Sequence, residues 1–237
     1  KIEIGLRLAQ LEETQLSRPQ QAIDALLGVL SLQDGHPDAV VSLARLYERQ
    51  AMWPELLDIL RVQAEQAGAP DLKVGFVHRA GSVLERELDD VLEALEMYRS
   101  ALAIDPAHGP SLDALTRISQ LADYREQAAE ILEPLLRAQG RHDGLAALLQ
   151  LRAEGAGDPF EKKTILRQLA ETHEQGRDNA HAAFDTLRQA LAEDSSDEDV
   201  QNDIERLAGS LGQWGAAADT FMARATGSLD PLVGRGL

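Results

Sequence analysis

The chain has 237 residues, 44% of them hydrophobic but only 4% aromatic, with a formal net charge of −17 and no cysteine. That acidity excludes nucleic acid as a partner unless a basic stripe is segregated on one face, and the lack of thiols excludes disulfides and cysteine metal sites. A core of Leu, Ala, Ile and Val suits packed helices better than a β-sandwich, and no apolar run reaches the roughly 18 residues of a membrane helix, so direct membrane insertion is not expected.

Apolar residues recur at three- and four-residue spacing almost from end to end, divided by short Gly, Pro and Asp breaks. The pattern predicts helices near 2–15, 19–32, 37–50, 53–67, 71–87, 90–104, 109–121, 125–138, 142–154, 160–175, 179–193, 197–211 and 214–226, and no strand. Pro54, Asp105-Pro106, Gly109-Pro110 and Asp158-Pro159 mark helix starts, where the missing N–H of proline costs nothing. The acidic stretch Asp194-Ser195-Ser196-Asp197-Glu198-Asp199 supplies N-cap oxygens and negative charge to a helix N-terminus. As a calcium loop it lacks the Gly and distal Glu of an EF-hand. Connections of two to six residues make consecutive helices antiparallel neighbours.

Three stretches are versions of one another. Leu8-Ala9, Ala80-Gly81 and Leu169-Ala170 precede Ala22, Ala94 and Ala183 by one spacing; Leu26, Tyr98 and Leu187 follow four residues on, then Leu30, Leu102 and Leu191. Units beginning near 2, 73 and 163 carry one more residue between their small position and the second-helix Ala than units near 37, 109 and 198, so longer and shorter hairpins alternate. One segment breaks the phase: Trp53 to Glu65 reappears as His142 to Glu154 after a hairpin is already complete, which implies an odd helix near 138–157. It is read either as the place where the array bends or as a looser helix packed outside.

Leu43-Ala44 with Tyr47, and Ala94 with Tyr98, Ala101 and Pro106, resemble the two halves of a tetratricopeptide repeat (TPR); Ala128 with Leu132 and Ala217 with Phe221 repeat the second half. Thr116 and Glu205 stand where that family has Gly or Ala, and the terminal prolines are mostly absent. The resemblance covers roughly 1–226 and implies an all-α, right-handed αα-hairpin solenoid of about six hairpins plus one extra helix, with 227–237 as a tail or the start of a further segment. It also implies that first helices line a concave face that binds protein partners.

Arg45, Arg117 and Arg206 each follow the small first-helix position of a short hairpin, which the resemblance turns toward that face. Gln10, Val41, Arg49, His78, Arg86 and Arg167 belong on or near it by the same rule, with Leu6, Glu13, Glu48, Ser82, Glu85, Asp113, Glu171 and Asn202. Such arginines could receive carboxylates of an acidic extended or helical segment through bidentate hydrogen bonds. The plainer reading is an internal ion pair, such as Arg45 or Arg49 with Glu48. Some TPR proteins grip a chaperone's C-terminal carboxylate with Lys, Asn and Arg; Gln10, Val41 and His78 do not supply that set.

Enzymatic signals are absent. There is no Gly-rich phosphate loop, His-Glu-x-x-His pair or nucleophile elbow, and no cofactor or metal is implied. His36 and His108 occupy equivalent turns, while His173 and His181 flank one turn and could approach each other without a third ligand. Nineteen arginines against four lysines, with abundant Ala, Leu and Gly, suggest a GC-rich bacterial source, in cytoplasm or periplasm. The opening Lys1 suggests a piece of a longer protein. The expected function is a non-enzymatic interaction scaffold; the alternatives are an architectural subunit of a large assembly or a sensor module.

Overall fold

The computed structural model describes residues 1–194 and 196–227. Among them are thirteen α-helices: α1 (Ile2–Thr14), α2 (Pro19–Leu32), α3 (Pro37–Arg49), α4 (Trp53–Gln66), α5 (Pro70–Arg86), α6 (Val91–Ile104), α7 (Gly109–Ile118), α8 (Arg125–Ala138), α9 (His142–Gly155), α10 (Pro159–Glu171), α11 (Ala180–Glu193), α12 (Glu198–Leu211) and α13 (Trp214–Gly227). No described residue is in a strand. The tail expected over 227–237 lies outside the described residues from 228 on, as does Ser195 of the acidic stretch.

Two predicted helices end early. The helix expected to reach 121 stops at Ile118, because Leu121 turns extended and a 3-10 turn, Ala122–Tyr124, leads into α8. The helix expected to reach 175 leaves α geometry after Glu171 and continues as one π turn, Thr172–Gly176.

The chain forms two compact units, Lys1–Ile118 and the residues from Ser119 onward. In the first, each helix from α1 to α7 packs on its successor; in the second, α8 to α13 do the same, and α13 also touches α11. Each unit is therefore a stack of αα-hairpins of the TPR-like kind. Ala22, Ala94, Ala128 and Ala183 are fully buried and Ala217 nearly so, which lets helices approach where a longer side chain would hold them apart. Gly81 goes further: a Cβ there would stand 2.8 Å from the Tyr98 ring.

The turns repeat as faithfully as the cores. Ser17, Asp89 and Asp178 occupy one position in the three long hairpins, all left-handed with φ near 50° (51°, 54° and 48°). Ala51, Gly140 and Gly212 share a second left-handed position after α3, α8 and α12, and the next residue donates back to Tyr47, Leu136 and Ala208 respectively, each at 2.9 Å. That recurrence explains the phase break. Joined to α8 by the turn that joins α4 to α3, α9 packs on both α8 and α10 and buries Leu145, Ala146, Leu148, Leu149 and Ala153. It is a full layer of the second unit, not a loose external helix.

Asp90, Asp158, Asn179 and Asp197 cap α6, α10, α11 and α12 by accepting from a backbone N–H three residues on. The acidic stretch thus does the capping expected of it through Asp197.

Candidate functional site

Four residues after the small position of each long hairpin stands a glutamate: Glu13, Glu85 and Glu174. Each accepts from the arginine 32 residues later, on the first helix of the following short hairpin. Arg45 forks onto both oxygens of Glu13, with Nη2 at 2.6 Å. Arg117 reaches Glu85 at 2.7 Å, and Arg206 reaches Glu174 at 2.6 and 2.9 Å. Glu13 also takes Arg49 at 2.9 Å. The hydrogen bond from Arg45 holds Glu13 below the usual carboxylate range despite its burial, and Arg206 does the same for Glu174.

The ion pairing differs from the expected one. Glu48 accepts from Arg79 on α5 at 2.7 Å, while Arg45 and Arg49 both turn to Glu13 on α1. A carboxylate with 9% of its side chain exposed gains two charge-assisted bonds there, whereas a pair along one solvated helix gains little. Arg45 keeps 52% and Arg49 62% of the side chain exposed, so both forks remain within reach of solvent.

Beside these pairs lie clefts. One of about 360 Å³ opens between α1 and α3, lined by Leu6, Ala9, Gln10, Glu13, Thr14, Leu26, Asp38, Ser42 and Arg45. A second, of about 500 Å³, opens in the other unit, where Arg167, Ala170, Glu171, Glu174, Gln175, Leu187, Asp203 and Arg206 stand at equivalent positions. The middle copy, between α5 and α7, is filled. Tyr98 replaces Leu26, its fully buried ring lies against Gly81, and its hydroxyl donates to Glu85 at 2.7 Å. His78 replaces Leu6, stacking 5.4 Å from Tyr98 and 5.2 Å from His108, with Nδ1 3.2 Å from the Ser111 hydroxyl. Burial, with His108, Arg86 and Arg117 nearby, pushes His78 below the usual histidine range.

The expected face is thus divided among different tasks. Gln10 and Arg167 line open clefts, His78 plugs the middle one, and Val41 and Arg86 are exposed outside both cleft linings. His173 lies 3.2 Å from Arg177, and His181 3.0 Å from the Gln213 amide. Sequence reasoning missed Glu174 as the partner of Arg206, although its offset from Ala170 matches that of Glu13 from Ala9. It also missed Lys163, a nearly buried lysine pairing with Asp194 at 2.7 Å and Asp197 at 3.0 Å across the α11–α12 turn. Lys163 and Ser196 hold Asp194 far below the ordinary carboxylate range. Among the described residues no three His, Cys, Asp or Glu are grouped to hold a metal ion, and no helix is long and apolar enough to cross a membrane.

The hairpins and their small-residue crossings define an all-α helical-repeat fold of stacked αα-hairpins. No family model and no curated protein matches the chain. Solved structures similar to it include a tetratricopeptide repeat protein from Parabacteroides merdae, at 15% identity over 99% of this chain and 96% of that one, TM-score 0.40. The TPR2AB domain of yeast Sti1 in complex with pHSP90 is 11% identical over 95% and 90%, TM-score 0.40. A thermophilic TPR protein from Thermus thermophilus is 18% identical over 89% and 99%, TM-score 0.31.

Proposed function

We propose that this chain is a non-enzymatic protein-interaction scaffold whose clefts between α1 and α3 and between α10 and α12 receive side chains of an extended or helical partner segment. The observation that supports this is the recurrence of one cleft, built from equivalent residues, in both units. Each is a groove between first helices, apolar at Ala9 and Leu26 or Ala170 and Leu187 and edged by a half-exposed arginine. Such a surface offers orientation and area to a side chain, which is what segment recognition uses.

The partner segment carries Asp or Glu for the α1–α3 cleft. Two guanidinium groups share the single carboxylate of Glu13, and an arginine has five N–H donors. Exposed pairs contribute only about 0–1 kcal/mol each, so affinity comes from several contacts together and weakens with salt without vanishing.

The test is capture of a partner from native extract, followed by its affinity for variants that keep full helicity. Ser42→Trp and Asp203→Trp, which fill the two clefts, are expected to weaken binding at least about tenfold, and Arg45→Ala with Arg49→Ala to lower its salt dependence. Unchanged affinity in the tryptophan variants rules the clefts out. A second reading, an architectural subunit, draws on the apolar side chains exposed along α1.

A further inference from the structure

Two histidines of the first unit share one partner. His78 on α5 and His108 in the turn before α7 both bring Nδ1 to the Ser111 hydroxyl, at 3.2 and 2.8 Å, with their ring centroids 5.2 Å apart. Ser111 and Tyr98 have no exposed surface, and the half-buried His78 ring lies 5.4 Å from that of Tyr98. Neither open cleft has this arrangement. Where α7 has Ser111, α3 has Ala39 and α12 has Val200, and Leu6 and Arg167 stand in the place of His78.

A hydroxyl has one proton and two lone pairs, so Ser111 donates to one ring and accepts from the other, with both rings neutral. Protonation puts an N–H on each nitrogen of a ring. The ring that accepts from Ser111 then loses that bond, and the hydroxyl proton is stranded in a site closed to water. The charges around the pair push the same way. Arg86 of α5, Arg117 of α7 and the His108 ring all oppose a positive charge on His78, and only Glu85 favours it. That carboxylate is already occupied by Arg117 and by the Tyr98 hydroxyl, each at 2.7 Å. Of the remaining acidic groups, Asp113 acts on Arg117, and Asp105 accepts from the Ala107 N–H at 2.9 Å. On α4 and α6 the charged side chains pair among themselves, Arg61 with Asp58 and Glu93, and Arg99 with Glu96.

We infer that His78, Ser111 and His108 form an acid-released latch: while neutral they close the junction between α5 and α7, and protonation frees His78 and opens it. The sign follows from burial. The closed form binds fewer protons than an open form with its rings in water, so opening is favoured as pH falls through the ordinary histidine pKa of about 6.5. The gain continues until the closed form is itself protonated, and the position of His78 below the usual histidine range widens that window downward. Opening uncovers Ser111 and one side of Tyr98, while the contact of Tyr98 with Gly81 keeps α5 and α6 together.

The experiment follows the full chain from about pH 8 to about pH 5 by histidine ring NMR and by amide exchange, corrected for the intrinsic pH dependence of exchange. His78 should titrate below free histidine, and protection in α5 and α7 should fall at least about tenfold over that range while protection in α1 and α3 holds. His78→Leu, which installs the residue of the α1–α3 junction, and His78→Gln, which keeps a polar group without a titration, should both abolish the fall. His108→Asn removes the neighbouring ring and should raise the His78 midpoint. A His78 ring that titrates with no change of protection in α5 and α7 overturns the inference. So does a fall that persists in the His78 variants, or one spread evenly over the first unit, which is general acid unfolding. Ser42→Trp, which fills the α1–α3 cleft, should leave the acid response unchanged, so the latch and the cleft reading fail separately.

Discussion

Glu13 shows how one carboxylate can organise a repeat junction. It is nearly buried on α1, yet Arg45 and Arg49 keep it ionised, so its folded state releases its proton at lower pH than the unfolded chain does. A carboxyl group depressed in this way contributes stability that is fully present above the unfolded glutamate pKa of about 4.3 and is lost as pH falls through the folded value. Glu13→Gln should therefore lower the stability of the first unit by about 1 kcal/mol at neutral pH and flatten its loss below pH ~4.5. Urea midpoints measured across pH for both proteins check this, and parallel profiles would deny Glu13 the role. The arginine of each pair is legible in the sequence because Arg45, Arg117 and Arg206 recur at one position of the three short hairpins, directly after Ala44, Thr116 and Glu205. Its partner is less so. Comparing long hairpins with long and short with short never sets Glu174 against Arg206, since only the stacking of one hairpin on the next brings them together.

At the scale of helices and turns, the packing rules are tight enough to forecast substitutions. Ala94 has no exposed surface, so Ala94→Leu forces the α5–α6 crossing apart and is expected to cost about 1–3 kcal/mol, read as a fall in thermal midpoint. Ala51 offers the opposite test. It holds φ at 55°, where its counterparts are Gly140 and Gly212. An L-residue pays roughly 1–2 kcal/mol for that conformation, partly offset by the greater freedom of an unfolded glycine, so Ala51→Gly should stabilise by about 0.5 kcal/mol. A fall in the midpoint would mean that the Ala51 methyl group contributes packing that outweighs the backbone gain. Nearly every helix is legible in the sequence, because apolar spacing and proline starts are local signals. The shortened α7 and the π turn after α10 are not, since both depend on how a few carbonyls find partners once the neighbours are in place.

For the whole molecule, the two compact units imply that Lys1–Ile118 has a core of its own. Expressed alone, it should keep its helical circular dichroism and unfold cooperatively, as arrays held by nearest-neighbour contacts do. A fragment without a cooperative transition would show that the unit draws its stability from elsewhere. The division into units after Ile118 is not marked by the helical spacing, which runs almost from 2 to 226; the break of hairpin phase falls later, near 138–157. Local repetition records that helices follow one another, and records poorly which crossings are closest.

The plugged copy between α5 and α7 carries a lesson about valency. Ring size at one second-helix position, with the small residue it lies against, distinguishes the junctions: leucine over alanine lines a cleft, whereas tyrosine packs its ring against glycine. Openness in such an array is then a matter of punctuation, set junction by junction without altering the count of helices. Emptying the middle junction with Tyr98→Leu and His78→Leu would give the first unit two adjacent sockets in place of one, and a ligand able to enter both would gain from tethering alone.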